Sequence, residues 1–129
     1  MSKIAFVFPG QGTQYAGMGK KLYDEVDADN KKLIDEIFKN NEDVKKVIFE
    51  GTDEELKNTK YAQPAIALFS VVLTKLLKEK GINADFVAGH SLGEYSSLYA
   101  AGVLSETDTL KLISKRGEIM SNANIDGGM

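Results

Sequence analysis

The chain has 129 residues, with 16 Lys and Arg against 19 Asp and Glu for a formal net charge of -3, and it has no cysteine. That balance gives no overall attraction to nucleic acid or to anionic membranes. The absence of cysteine excludes disulfides and thiolate metal sites, and it leaves serine as the strong nucleophile of the Ser/Cys pair.

No apolar run reaches the roughly 18 residues needed to span a bilayer. The first residues lack the basic start and long apolar stretch of a signal peptide, because the apolar run at 3–8 meets Pro9-Gly10 at once. A cytoplasmic protein is therefore expected.

In chain order, Lys3-Ile4-Ala5-Phe6-Val7-Phe8 reads as a buried strand at 3–8 that runs into the loop Pro9-Gly10-Gln11-Gly12-Thr13-Gln14. A glycine-rich loop after a strand invites comparison with phosphate-binding loops. Its spacing matches neither G-x-x-x-x-G-K-[ST] nor G-x-G-x-x-G, and the lysine of a P-loop is absent. The alternative is a loop that folds over a neighbouring strand end and aims a backbone N–H, that of Gln11, into a shared site.

A short helix is expected near 16–25, followed by helical stretches at 28–40 and 42–49. The segment from Asp24 to Lys60 is charged and lysine-rich, yet Leu33, Ile34, Ile37 and Phe38, then Val44, Val47 and Ile48, recur at helical spacing. Amphipathic helices packed on the sheet side account for that pattern better than a linker does. Thr52 and Glu55 form a capping-box signature for a short helix at 52–58.

The stretch 61–80 is more broadly apolar, through Ala65, Ile66, Leu68, Phe69, Val72, Leu73, Leu76 and Leu77, and is expected to be a central helix. Pro64 fits near its first turn, and Gly81 marks its end. A second strand at 84–89 follows. Strand, helical excursion and strand in this order are compatible with parallel neighbours.

Directly after Phe86-Val87-Ala88 stands Gly89-His90-Ser91-Leu92-Gly93, the G-x-S-x-G pattern of a nucleophile elbow. In that device a strand ends in a strained turn and a helix begins. The serine hydroxyl stands above the sheet, the glycines permit close backbone approach, and the amide after the serine faces a developing oxyanion. Helices at 91–101 and 105–122 complete the chain, the second with Leu110, Leu112, Ile113 and Met120 as its inner face.

Two parallel strands do not make the doubly covered sheet that such an elbow requires, so further strands are expected downstream. A polypeptide ending at Met129 is expected to expose apolar sheet edges and to self-associate unless a complementary chain pairs with it.

Phe8-Pro9-Gly10-Gln11-Gly12-Thr13-Gln14, Tyr61-Ala62-Gln63-Pro64-Ala65, Gly89-His90-Ser91-Leu92-Gly93-Glu94 and Lys115-Arg116-Gly117 occur together and in this order. In these four motifs the sequence resembles the N-terminal part of the malonyl-CoA:acyl carrier protein transacylases, the acyltransferases of fatty acid and polyketide synthesis. The resemblance implies an α/β-hydrolase-like large subdomain with a parallel sheet and nucleophile elbow, incomplete in this chain. Residues 1–122 would form its N-terminal part, and 123–129 would begin the segment leading into a ferredoxin-like small subdomain.

The resemblance also implies roles. Ser91 is the nucleophile, the Gln11 and Leu92 amides form the oxyanion hole, Arg116 pairs with the malonyl carboxylate, and Gln63 lines the acyl pocket. A planar guanidinium suits that task because it matches a carboxylate with two parallel hydrogen bonds. Glu94 reads equally as a helix-start acid favoured by the macrodipole and as a site residue.

His90 adjoins Ser91, and consecutive side chains diverge on an elbow, so it is read as a supporting residue rather than the base. The family's base is a histidine beyond residue 129, so the isolated chain is expected to be inactive. No metal and no cofactor are implied beyond the substrates, malonyl-CoA and phosphopantetheinylated acyl carrier protein. The carrier protein is usually acidic, which makes Lys75, Lys78, Lys80, Lys111 and Lys115 candidates for docking.

Two other readings stay open. One is a plain serine esterase built on the same elbow, in which Arg116 has no carboxylate to hold. The other is a non-catalytic fragment or one component of a split enzyme.

Overall fold

The computed structural model describes residues 2–123. Strand β1 (Ala5–Phe8) is followed by helices α1 (Lys20–Glu25), α2 (Ala28–Phe38), α3 (Glu42–Glu50), α4 (Asp53–Lys57) and α5 (Thr59–Glu79). Strand β2 (Phe86–Gly89) then leads into α6 (Gly93–Ala100) and α7 (Glu106–Asn122). The strands pair in parallel, Ala5 with Phe86 through Phe8 with Gly89, as the strand–helix–strand order predicts. The expected segment 123–129 lies outside the described residues after Ala123.

Local chemistry sets the boundaries. Helix α1 starts at Lys20, later than expected, because Gly17 and Gly19 both hold φ at 78°, in the left-handed region that a right-handed helix excludes. Thr52 caps α4 in the anticipated box: its hydroxyl accepts from the Glu55 amide at 3.2 Å, and Glu55 accepts from the Thr52 amide at 2.8 Å. Helix α5 ends as foreseen at Gly81, where the Gly81 amide donates to Lys78 and the Ile82 amide donates to Leu77, each at 2.9 Å.

Pro64 departs from expectation. Helix α5 begins at Thr59, capped by the Asn58 side chain, so Pro64 lies inside the helix rather than in its first turn. An interior proline removes one helical hydrogen bond and costs about 3 kcal/mol. Ile66, Leu68, Val71, Val72 and Leu76 on the same helix are all buried, and each contributes about 1.5–3 kcal/mol. Burial therefore outweighs the broken bond, and the helix runs through.

The core gathers around α5, where Ile34, Ile37 and Phe38 of α2, Val44 and Ile48 of α3, Leu56 of α4, and Leu110 and Ile113 of α7 converge. Helices α2, α3 and α4 thus pack on α5 and not on the sheet, contrary to the sequence expectation. On α7, Leu110 and Ile113 are buried as expected, but Leu112 and Met120 are exposed. Helix α7 runs antiparallel to α5, with Lys75 paired to Glu106 at one end and Ser121 beside Asn58 at the other.

Helix α6 packs on both strands and covers one face of the sheet. The other face carries Ala5, Val7, Phe86 and Ala88, all exposed, Val7 at 74% and Phe86 at 63%. The expectation of a buried strand at 3–8 fails for this reason, since two strands covered on one side bury only alternate residues. No helix among the described residues is long and apolar enough to cross a membrane.

Candidate active site

The C-terminal ends of β1 and β2, the start of α6, the start of α5 and the last turns of α7 meet at one end of the molecule. Ligands of open α/β folds bind outside the carboxyl ends of the strands. Three close approaches build this end. A Cβ on Gly93 would collide with the Phe8 carbonyl, and one on Gly89 would collide with the Gly93 backbone. A Cβ on Gly117 would stand 3.0 Å from the Thr59 carbonyl oxygen, so this glycine lets α7 settle against the beginning of α5.

Ser91 holds φ at 55° and, among the described residues, is the only non-glycine residue with positive φ. A left-handed L-residue costs about 1–2 kcal/mol, and here the surrounding bonds hold it in place. The His90 amide donates to the Phe8 carbonyl at 3.1 Å, the Gly93 amide donates to the His90 carbonyl at 2.9 Å, and the Glu94 amide donates to the Ser91 carbonyl at 3.1 Å. The elbow read from the sequence is thus present, with α6 beginning at Gly93 and Leu92 as its N-cap.

Arg116 reaches this turn from α7. Its Nη2 donates to Ser91 Oγ at 3.1 Å and its Nη1 donates to Gln63 Oε1 at 2.7 Å. Gln63 is fully buried, and its Nε2 donates to Met120 Sδ at 3.1 Å. The Tyr95 ring lies 5.9 Å from the guanidinium carbon. Arg116 is the only arginine in the sequence, and no carboxylate among the described residues pairs with it. Its neighbours among the described residues are an amide, a hydroxyl and an aromatic ring, none of which neutralises its positive charge.

The Pro9–Gln14 loop borders the same end. Gln11 Nε2 donates to Thr59 Oγ1 at 3.1 Å, Thr13 Oγ1 donates to the Gly10 carbonyl at 3.0 Å, and Gln14 ties the loop to Leu56 through its Nε2 at 3.1 Å. Among the described residues, neither the Gln11 amide nor the Leu92 amide donates a hydrogen bond within the protein. His90 is exposed, and its Nδ1 lies 2.7 Å from where a Cβ on Gly10 would be. It makes no hydrogen bond to Ser91. Glu94 is an exposed first-turn residue of α6 and forms no hydrogen bond or ion pair with Arg116.

Ser91, Gln63 and Arg116 are therefore brought together, while among the described residues no base hydrogen-bonds to Ser91 Oγ. Sequence reasoning missed Tyr95 and Met120. Each lies four residues beyond a site residue, Met120 after Arg116 on α7 and Tyr95 after Ser91 at the entry to α6, and that spacing was the available signal.

The lysines named from the sequence do not form one patch. Lys75 is paired with Glu106, Lys78 donates to the Ala100 carbonyl, and Lys80 follows at the end of α5 away from the site. Lys115 is paired with Glu118. Lys111 and Lys115 line a groove of about 750 Å³ together with Lys60, Glu36 and Asp43. Its charges are mixed, and it includes neither Ser91 nor Arg116. No group of residues with the makings of a metal site occurs among the described residues.

Residues 5–129 match the family model described as acyl transferase domain. The chain is 53% identical over 123 residues to the malonyl CoA-acyl carrier protein transacylase of Bacillus subtilis (strain 168), covering 95% of this chain and 39% of that protein. Among solved structures, it resembles the acyl-carrier-protein-S-malonyltransferase of Bartonella henselae with a TM-score of 0.84 and 40% identity. That match covers 96% of this chain and 41% of the other. A type II PKS acyl-carrier protein in complex with its malonyl-transacylase gives a TM-score of 0.84 at 36% identity, over 98% of this chain and 41% of the other. The chain thus spans about two fifths of the length of these relatives.

Proposed function

The chain belongs to the acyl transferase domain family, and from that premise we propose that, joined to the remainder of such a domain, it transfers a malonyl group from coenzyme A to acyl carrier protein in fatty acid synthesis. The observation that carries this reading is the Arg116 guanidinium, uncompensated by any described carboxylate and 3.1 Å from Ser91 Oγ. A cation placed beside a nucleophile selects an acyl group that ends in a carboxylate.

In this reading Ser91 Oγ attacks the thioester carbonyl while a base removes the hydroxyl proton. The developing oxyanion lies between the Gln11 and Leu92 amides, which have no partner within the described residues. As the carbonyl re-forms, the C–S bond breaks and coenzyme A leaves as the thiol, taking up the proton. Arg116 holds the malonyl carboxylate throughout, and Gln63 holds Arg116. The phosphopantetheine thiol of the carrier protein then attacks the malonyl-serine ester by the reverse sequence and restores Ser91.

The base comes from the rest of the domain, since His90 is the only histidine of the chain and is turned to Gly10. His90 supports the turn. The partners are acyl carrier protein and the coenzyme A thioester, and the compartment is the cytoplasm. The likeness to a malonyl-transacylase solved with its carrier protein supports the partner.

Intact-mass measurement after incubation with malonyl-CoA tests the reaction class. Full acyl transferase protein carrying these residues should gain one malonyl group that is absent in Ser91→Ala and is discharged by holo carrier protein. Hydrolysis without a carrier-dependent discharge would favour an esterase. The isolated 129-residue chain should acylate far more slowly, for want of the base.

A further inference from the structure

Helix α6 places Tyr95 one turn beyond the nucleophile, and its ring faces the guanidinium of Arg116 at 5.9 Å from the centroid. Tyr95 is half-buried against the core. Among the described residues its hydroxyl makes no hydrogen bond, so the part of Tyr95 that the surroundings use is the ring. We propose that Tyr95 is a positioning residue for carboxylate recognition, its π face holding the Arg116 guanidinium flat so that the donors are presented edge-on to the acyl group. The inference rests on the malonyl-transfer reading above.

The physical argument concerns how a cation can be fixed without being spent. A long side chain carries about 2 kcal/mol of rotamer entropy, so an arginine meant to meet a substrate carboxylate must be held beforehand. A carboxylate neighbour would hold it but would neutralise the charge on offer. An amide oxygen and an aromatic face hold it through partial charges only. Gln63 Oε1 fixes one edge at 2.7 Å, and the Tyr95 ring has its centroid 5.9 Å from the guanidinium carbon, within cation–π range. Gln63 holds Nη1 and the Ser91 hydroxyl holds Nη2, but these two bonds still leave the plane free to rotate about the line through the two nitrogens. A ring on the flat side removes that freedom, at the strength of a cation–π contact.

The test uses full acyl transferase protein carrying these residues. In Tyr95→Leu the preference for malonyl over acetyl thioester, as a ratio of kcat/KM values, should fall about three- to ten-fold through a higher KM for the malonyl substrate, as expected for a lost cation–π contact. Tyr95→Phe keeps the ring and should restore the ratio. Phenylalanines with increasing ring fluorination at position 95 keep the shape while weakening the π face, and malonyl KM should rise stepwise along that series. They also answer the question if Tyr95→Leu fails to fold.

A flat response to fluorination, or a Tyr95→Phe that behaves like Tyr95→Leu, overturns the proposal and assigns Tyr95 to packing. Arg116→Ala is measured alongside. If it leaves the malonyl preference intact, the malonyl reading itself is wrong. If it abolishes the preference while the ring series is flat, only the role of Tyr95 is wrong.

Discussion

The Arg116 Nη2 donates to Ser91 Oγ across 3.1 Å although 25 positions separate the two residues in the chain. Their meeting depends on Gly117, which lets α7 approach α5, and on Gly93, which lets α6 start against β1. A guanidinium has five donors on a rigid plane, so it can hold Gln63 and still offer hydrogen bonds to a ligand. The ammonium of a lysine has no such fork. Arg116→Lys should therefore lower kcat/KM for malonyl-CoA about 10- to 150-fold, matching the loss of one charge-assisted hydrogen bond of about 1.5–3 kcal/mol. Steady-state kinetics on malonyl and acetyl thioesters would show it. An equal loss on both substrates would point to an esterase-type site with no carboxylate to hold.

The turn at Ser91 stores strain, which predicts an opposition between stability and activity. Glycine reaches a φ of 55° without a Cβ penalty, whereas alanine does not. Ser91→Gly and Ser91→Ala both remove the hydroxyl proposed as the nucleophile, but Ser91→Gly should be the more stable by about 1–2 kcal/mol. Urea denaturation midpoints of the two variants in the same background measure the difference. Equal midpoints would mean that the turn relaxes when the serine is lost.

Tyr99 gives the fold an alkaline limit. Burial, and next to it the negative charge of Glu106, raises the Tyr99 pKa above the ordinary 10.0. Lys78 also faces the ring, 5.7 Å from its centroid. Below pH 10 both folded and unfolded chains keep the phenol proton, and the contribution is fully present. As pH rises above 10 the unfolded chain ionises first, so stability falls until the folded phenol also loses its proton. Tyr99→Phe removes that component, and its stability should decline less steeply than that of the parent above pH 10. Parallel slopes in chemical denaturation series would exclude the effect.

Much of this was legible because it is local. The elbow, the Thr52–Glu55 box and the Gly81 stop are each set by a few neighbouring residues, and the structure contains all three. The boundary of α5 was misread because Pro64 is a strong local signal, and the burial that overrules it comes from residues remote in sequence. The same holds for α2 to α4, whose apolar stripes declare a buried face without declaring what covers it. Ser91, Gln63 and Arg116 were paired through family resemblance, since no spacing rule connects positions 63, 91 and 116. Tyr95 was overlooked because a half-buried aromatic on a short helix reads first as core.

The open face of the sheet gives the last expectation. Register and pleat put Ala5, Val7, Phe86 and Ala88 on the side away from α6, and all four are exposed. Parallel sheets are ordinarily covered on both faces, and an uncovered apolar strand pair is a template for association. The isolated 129-residue chain should therefore self-associate with rising concentration in sedimentation velocity. The double substitution Val7→Thr with Phe86→Thr keeps strand propensity while making the face polar, and should shift the distribution toward monomer. A parent chain that stays monomeric across the concentration range would show that this face is not sticky. Association unchanged by the double substitution would move the interface to another surface, with Val103 at 67% and Ile119 at 58% exposure the next residues to change.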